Sequence, residues 1–382
     1  EINNFYTVTI YEKGAEVIGI LKSLVGDTGY KRALDLYFDR HDGQAATIED
    51  FVAAMAEVSG RDFAQFMRWY RQAGTPRVEV RGHYDAAARR YRLEFAQSCP
   101  ATPECAVKEP FPIPIRLGLV GAAGDLPLHV PDLADGATEL VFELREATQT
   151  LEFENVAEAP IPSLLRGFSA PVKLDFPYRR EDLLHLLRRD SDGFNRWEAG
   201  NRLAVDILQE LIAAHGAGRP LALAPTLIEA YRELLENREL DAAMVAHLLT
   251  LPSESYLGEL AEVIEVEAIH GARQCARREL AAALRPQWLA AYERHRVAEP
   301  YRADADQIAR RSLRNLALAY LLQLEDAEVI ELAWRQFETA DNLTDRNAAL
   351  VSLLNNPAPA ARARAREGLQ RYYEQGRDEP LV

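Results

Sequence analysis

The chain has 382 residues, with 44 Lys or Arg and 59 Asp or Glu, and its formal net charge is −15. This length predicts two to four domains, since domains commonly hold roughly 100–200 residues. The acidic balance argues against a nucleic-acid partner, because phosphate binding needs clustered Lys and Arg. No apolar run approaches the roughly 20 residues that span a bilayer, so we expect no membrane partner. Three cysteines are too few for a disulfide framework, which favours a reduced, cytoplasmic location.

The first stretch, to about residue 76, has the pattern of helices. Thr9 and Glu12 have the spacing of a capping box, which predicts a helix that begins at Thr9. One apolar face follows, and Gly26 and Gly29 interrupt it. Thr47-Ile48-Glu49-Asp50 predicts another helix start, and Gly74-Thr75-Pro76 ends the stretch. The residues of the apolar face are Val17, Ile18, Leu21, Leu24 and Val25.

The second stretch, about residues 77–176, alternates apolar and polar residues with period two. Short runs of this kind between turn residues predict an antiparallel β-sandwich. We interpret Gly118-x-x-Gly121-x-x-Gly124 as turns, because its spacing is wrong for a dinucleotide fingerprint. The predicted strands include Val78 with Val80, Tyr91 to Phe95, Ile113 to Leu119, Leu126 to Val130, Leu140 to Phe142, Leu151 with Phe153, and Val172 with Leu174.

The third stretch, about residues 177–382, is rich in Ala, Leu, Arg and Glu, which are strong helix formers. Pro and Gly divide it into segments of helical length. Successive helix pairs without a strict repeat predict an irregular α-solenoid. The fold class is therefore multidomain α+β. The chain starts without Met or a secretory signal and ends abruptly after a helix. We expect its natural start to lie upstream and its helical domain to be truncated at the C-terminus.

The sequence contains no short motif that would form an active site by itself. None of the eight histidines lies in an H-E-x-x-H arrangement, and there is no Cys-x-x-Cys. There is also no nucleophile elbow and no P-loop. The sequence therefore predicts no metal ligands in this chain.

One polar and aromatic segment, residues 3–14, precedes the first helix. Tyr11 would lie in the first helical turn, near the electropositive helix end, where a phenol can donate a hydrogen bond to an oxyanion. The alternative is that Tyr6 and Tyr11 are half-buried packing residues with satisfied hydroxyls. The residues alone leave both interpretations open.

Five segments of the chain resemble the M1 family of zinc aminopeptidases, in its bacterial aminopeptidase N group. Together they extend over most of the chain, and the first is the most specific. The segments are Asn3-Asn4-Phe5-Tyr6-Thr7-Val8-Thr9-Ile10-Tyr11-Glu12-Lys13-Gly14-Ala15-Glu16-Val17, residues 35–47, residues 66–70 with Ala73-Gly74-Thr75-Pro76, Phe168-Ser169-Ala170-Pro171-Val172-Lys173-Leu174, and Asp341-Asn342-Leu343-Thr344-Asp345.

The resemblance implies an architecture and two site residues. Residues 1–76 would be the C-terminal part of a thermolysin-like catalytic domain, 77–176 a β-sandwich, and 177–382 a superhelical domain. Tyr11 matches the catalytic tyrosine of the family, whose hydroxyl stabilises the tetrahedral oxyanion. Tyr6 matches an aromatic wall of the pocket for the first side chain of the substrate. Glu12 has a family counterpart, but we assign it no catalytic role.

The family's zinc-binding helix and its Gly-x-Met-Glu-Asn motif are missing from this sequence. We therefore expect a fragment of a cytoplasmic zinc aminopeptidase that acts on peptides, inactive alone and without bound zinc. The alternative is a non-enzymatic scaffold in which a β-sandwich and a solenoid bind a partner. The helical stub before residue 76 could also expose apolar surface and self-associate. The preferred N-terminal residue and the oligomeric state do not follow from the sequence.

Overall fold

The computed structural model describes residues 6–131 and 133–378. The chain divides into two compact units, Glu1–Ala199 and Gly200–Val382. This division does not test the predicted boundaries at residues 76/77 and 176/177, which stay a prediction. Asn3, Asn4 and Phe5, which belong to the first segment of the family resemblance, lie outside the described residues.

Helices form the amino-terminal part of the first unit. A π-helical turn, Thr9–Lys13, leads into α1 (Gly14–His41), which is followed by α2 (Ile48–Ser59) and α3 (Arg68–Arg71). The interruption predicted at Gly26 is confirmed, because its φ of 74° breaks α1. The interruption predicted at Gly29 is wrong, because α1 continues through this residue. The helix start predicted at Thr47 is also confirmed, and the structure shows that Thr47 and Asp50 form a capping box. The Thr47 hydroxyl accepts from the Asp50 N–H at 3.3 Å, and the Asp50 carboxylate accepts from the Thr47 N–H at 2.8 Å.

The capping box predicted at Thr9 and Glu12 is wrong. Val8 already has helical dihedral angles (φ −51°, ψ −38°), and no side chain caps the turn. The N–H groups of Ile10 and Tyr11 both donate to the Thr7 carbonyl at 3.0 Å. An N-cap residue needs an extended backbone that turns its side chain back to the helix. The helical conformation already begins at Val8, so Thr9 cannot be the N-cap residue.

Two sheets form the predicted sandwich. One has the strand order β6-β2-β1-β8 and the other β4-β3-β5, with β7 also paired to β3. Val80 lies opposite Phe95, and both are buried in the core together with Leu117. The strands are β1 (Arg77–Asp85), β2 (Arg90–Ser98), β3 (Ile113–Gly121), β4 (Gly124–Asp125), β5 (Leu140–Leu144), β6 (Thr148–Phe153), β7 (Ile161–Leu164) and β8 (Lys173–Asp175).

Two details of the sandwich differ from the prediction. Strand β8 pairs parallel to β1, with Val78 opposite Leu174, because the chain crosses from one sheet to the other between β7 and β8. The strand predicted over Leu126 to Val130 is absent, although Leu128 is buried. Pro127 has no N–H to donate to a strand ladder, so this apolar run packs as irregular chain.

A buried ion cluster lies at the end of β7. Arg166, which is only 2% exposed, follows this strand in a short 3-10 turn, Arg166–Phe168. Its Nη2 lies 2.9 Å from Asp125 Oδ1 and 3.1 Å from Asp190 Oδ1, and its Nε donates to Ser163 Oγ at 2.9 Å. Gly118 lies within β3 and not in a turn, which corrects the prediction. A Cβ atom there would lie 2.5 Å from the Arg166 guanidinium carbon, so glycine makes room for the buried cation.

The remaining helices confirm the predicted helical domain. Consecutive helices pack together, as α10 does on α11 and α12 on α13. Trp288 of α10 stacks on Tyr320 of α11, with ring centroids 4.2 Å apart. The helices are α4 (Arg180–Arg189), α5 (Gly193–Gly216), α6 (Pro225–Glu236), α7 (Ala242–Leu248), α8 (Glu254–Glu259), α9 (Val266–Ala283), α10 (Arg285–Arg294), α11 (Ala305–Leu321), α12 (Ala327–Thr339), α13 (Leu343–Leu354) and α14 (Pro359–Asp378).

The histidine after α10 makes the second unit acid-sensitive. Burial, followed by the charges of Arg294, Arg310 and Arg238, lowers the pKa of His295 to about 4. An unfolded histidine has a pKa of about 6.5, so on acidification the unfolded state takes up this proton first. The stability linked to His295 is therefore fully present above pH about 6.5 and is lost as the pH falls from there towards about 4.

We expect urea unfolding of the second unit to show this loss between pH 7.5 and pH 5. His295→Gln should lose less stability than the wild type over the same interval, because glutamine does not titrate. Equal losses in the two proteins would contradict a role for His295.

Candidate functional site at the amino-terminal turn

Tyr11 lies in the middle of the π-helical turn Thr9–Lys13. The Gly14 N–H donates to the Thr9 carbonyl five residues earlier, which is the hydrogen-bond spacing of a π-helix. Turns of this type are wider than α-helical turns and occur frequently at functional sites. No residue of the turn is buried, so its side chains are presented on the surface of the described part of the chain.

Tyr6 and Tyr11 lie side by side. Their rings stack with centroids 5.9 Å apart and planes 18° apart. Tyr6 is 64% exposed and Tyr11 is 58% exposed, which argues against the interpretation that they are half-buried packing residues. Within the described residues, the Tyr11 hydroxyl has no hydrogen-bond partner. Its O–H is therefore free to donate to a group that approaches the turn.

Lys13 connects the turn to a distant segment of the first unit, and the sequence pattern did not reveal this contact. Its Nζ donates to the Gly74 carbonyl at 2.7 Å. Burial lowers the pKa of Lys13, since the ammonium is partly removed from water. The two residues are 61 positions apart, so only the tertiary structure brings them together. The sole sequence signal was that both lie in segments that resemble the family.

Acidic groups lie close to the turn. Burial, and then the charge of Glu12, raises the pKa of Glu16. Glu12 itself is exposed and makes no hydrogen bond to the described residues. The structure therefore gives no reason to assign Glu12 a part in the chemistry.

The residues present do not form a zinc site. Among residues 6–131 and 133–378, no group of three or more His, Cys, Asp or Glu side chains is arranged to hold a metal ion. In the same residues, no helix is both long enough and apolar enough to cross a membrane.

Three family models together match nearly the whole chain. Residues 1–70 match the peptidase family M1 domain. Residues 74–177 match a domain of unknown function with an Ig-like fold (DUF3458), and residues 180–382 match the domain of unknown function DUF3458_C, described as ARM repeats. This chain belongs to peptidase family M1. The resemblance noted in the sequence is thus confirmed, and so is the combination of a sandwich with a helical repeat domain.

Individual relatives are similar over nearly the whole chain. Aminopeptidase N of Escherichia coli is 39% identical over 375 residues, which are 98% of this chain and 42% of that protein. Aminopeptidase N of Caulobacter vibrioides is 39% identical over 384 residues, covering 100% of this chain and 42% of the relative. The crystal structure of Legionella pneumophila aminopeptidase A in complex with aspartic acid matches with a TM-score of 0.83 and 27% identity, covering 100% of this chain and 43% of that one. The chain spans about two fifths of the length of these relatives.

Proposed function

We propose that this chain works as part of a zinc aminopeptidase that removes N-terminal amino acids from peptides. One observation carries the proposal. In a chain that belongs to peptidase family M1, Tyr11 presents an exposed phenol on a π-helical turn, and its hydroxyl has no hydrogen-bond partner among the described residues. Peptides are the proposed substrates, and the cytoplasm is the proposed location.

In this proposal Tyr11 acts as an oxyanion donor. When a nucleophile attacks the peptide carbonyl, the carbonyl oxygen gains negative charge. A hydroxyl that already points at this oxygen stabilises the charge without reorganising, and its hydrogen bond is stronger in the transition state than in the ground state. The ring of Tyr6 would form a wall that contacts the first side chain of the substrate.

The other parts of the proposal concern the chain as a whole. We propose three domains, 1–76, 77–176 and 177–382. Residues 1–76 would belong to the catalytic domain, 77–176 would form the Ig-like sandwich, and 177–382 would form the helical repeats. The sequence lacks the zinc-binding motif of the family, so we propose that the chain alone binds no zinc and hydrolyses no peptide. No comparison supports the alternative of a non-enzymatic scaffold.

An activity comparison tests this proposal. The purified 382-residue chain and the longer polypeptide encoded with its upstream sequence are assayed on an alanyl chromogenic amide, with added zinc and with a chelator. We expect chelator-sensitive hydrolysis and about one bound zinc only in the longer protein. Hydrolysis by the pure chain would contradict the proposed inactivity. If the upstream sequence encoded no H-E-x-x-H motif and the longer protein were inactive, the scaffold alternative would be favoured.

A further inference from the structure

The turn that carries Tyr11 has very little holding it in place. None of its residues is buried, and all but Lys13 are exposed, so apolar packing does not fix its position. Within the described residues, a single side-chain hydrogen bond joins residues 6–13 to the chain beyond α1. It is the bond from Lys13 Nζ to the Gly74 carbonyl, at 2.7 Å. Since Lys13 is two residues from Tyr11 in the same turn, any displacement of Lys13 moves the phenol.

The acceptor side of this bond is held by contacts of its own. Gly74 has a φ of +106°, and a Cβ atom at this position would lie 2.9 Å from Cys99 Sγ. The preceding carbonyl, of Ala73, accepts from Lys108 Nζ at 2.9 Å, and the same ammonium donates to Thr102 Oγ1 at 2.7 Å. Side chains of the loop after β2 therefore hold the backbone that presents the Gly74 carbonyl to Lys13.

The bond is also of a strong type. An ammonium that donates to a carbonyl in a partly buried place makes a charge-assisted hydrogen bond. Burial lowers the pKa of Lys13, and no carboxylate of the described residues forms an ion pair with it. An exposed lysine would avoid this desolvation, so the partly buried position of Lys13 is better explained by a fixed contact with the Gly74 carbonyl than by a gain in stability.

We propose that Lys13 is a positioning residue. Its ammonium ties the π-helical turn to the Gly74 carbonyl and thereby sets the place of the Tyr11 hydroxyl. This inference rests on the proposed function of Tyr11. It predicts that loss of the Lys13 ammonium lowers activity by displacing Tyr11, and that it has no separate effect on the reaction.

The first test uses the 382-residue chain and needs no activity. Hydrogen exchange is measured at the Gly14 amide, which donates to Thr9 within the turn, in Lys13→Met, Lys13→Arg and the control Lys22→Met. We expect Lys13→Met to speed exchange about tenfold or more, because a charged hydrogen bond is lost. Lys13→Arg, which keeps a donor, should fall between wild type and Lys13→Met.

Lys22 is an exposed lysine on α1, so Lys22→Met should change exchange less than about twofold. Thermal midpoints of all variants show that each is folded. Unchanged exchange in folded Lys13→Met would overturn the inference, because the bond would then not hold the turn.

The second test uses the longer enzyme. We expect Lys13→Met to lower kcat about tenfold with KM changed less than about twofold, since misplaced groups lose transition-state stabilisation. Lys13→Met added to Tyr11→Phe should cause no further loss, because the lysine acts through the missing hydroxyl. Zinc content should be the same in all variants.

The outcomes separate the two proposals. Full activity of Lys13→Met in an enzyme that is sensitive to Tyr11→Phe would overturn the positioning role and leave the proposed function standing. Full activity of Tyr11→Phe would overturn the proposed function itself. Additive losses in the double variant would overturn the positioning role, since they would show that Lys13 acts independently of Tyr11.

Discussion

Tyr11→Phe in the longer enzyme should lower kcat by about 10²–10³, the usual cost of removing one oxyanion donor, or about 2.7–4 kcal/mol. The substitution removes only the hydroxyl and keeps the ring that stacks on Tyr6. The ring is 58% exposed, so folding stability should hardly change. Because the hydrogen bond strengthens only as negative charge develops on the substrate, KM should stay within about threefold.

The matched control is Tyr70→Phe. Tyr70 is also a partly exposed tyrosine of the first unit, and its ring contacts Phe66. Loss of its hydroxyl should leave kcat within about twofold of wild type. Steady-state kinetics on an alanyl amide give kcat and KM for each protein, and zinc analysis shows whether the metal content is unchanged. A kcat for Tyr11→Phe equal to that of Tyr70→Phe would remove Tyr11 from the chemistry.

Arg166→Met should destabilise the first unit by about 3–5 kcal/mol, which is the typical cost of removing one partner of a buried ion pair. The guanidinium neutralises Asp190 and Asp125, and its Nε also donates to Ser163. Methionine fills much of the same volume but leaves the two carboxylates without their counter-ion. Burial already raises the pKa of Asp190, and loss of the cation adds to that effect.

Urea denaturation of the 382-residue chain measures this cost. Arg179→Met is the matched control, because the Arg179 side chain is 74% exposed in its pair with Asp182, and exposed pairs contribute at most about 1 kcal/mol. Arg166→Met combined with Asp190→Asn should recover part of the lost stability, since one of the unpaired charges is removed. If Arg166→Met lowered the free energy of unfolding no more than Arg179→Met does, the buried ion pairs of Arg166 would contribute no more stability than an exposed pair.

Features that depend on neighbours in the sequence could be predicted from it. The break of α1 at Gly26 and the helix start after Thr47 each follow from a few consecutive residues. The Thr9 capping box failed although its spacing was equally good. A cap needs a particular backbone conformation as well as suitable residues, and the π-helical turn at Thr9–Lys13 does not provide it.

The candidate site could be predicted only in part. Tyr11 and Tyr6 were found through family resemblance, and their exposure and stacking appeared only in the structure. Lys13 gave no signal as a positioning residue, because its partner Gly74 is 61 positions away. The same holds for Arg166, whose ionic partners lie 41 and 24 positions away.

The residue pattern alone predicts the order of structural classes along this chain: helices, then a sandwich, then helical repeats. Hydrophobic periodicity is a local property, and it reports which face of each helix or strand becomes buried. Folding of the whole unit was needed to show that β8 runs parallel to β1, that Gly118 lies beneath the Arg166 guanidinium, and that Lys13 reaches Gly74. These contacts join groups that no local pattern relates, and their strength depends on burial, which exists only once the chain has folded.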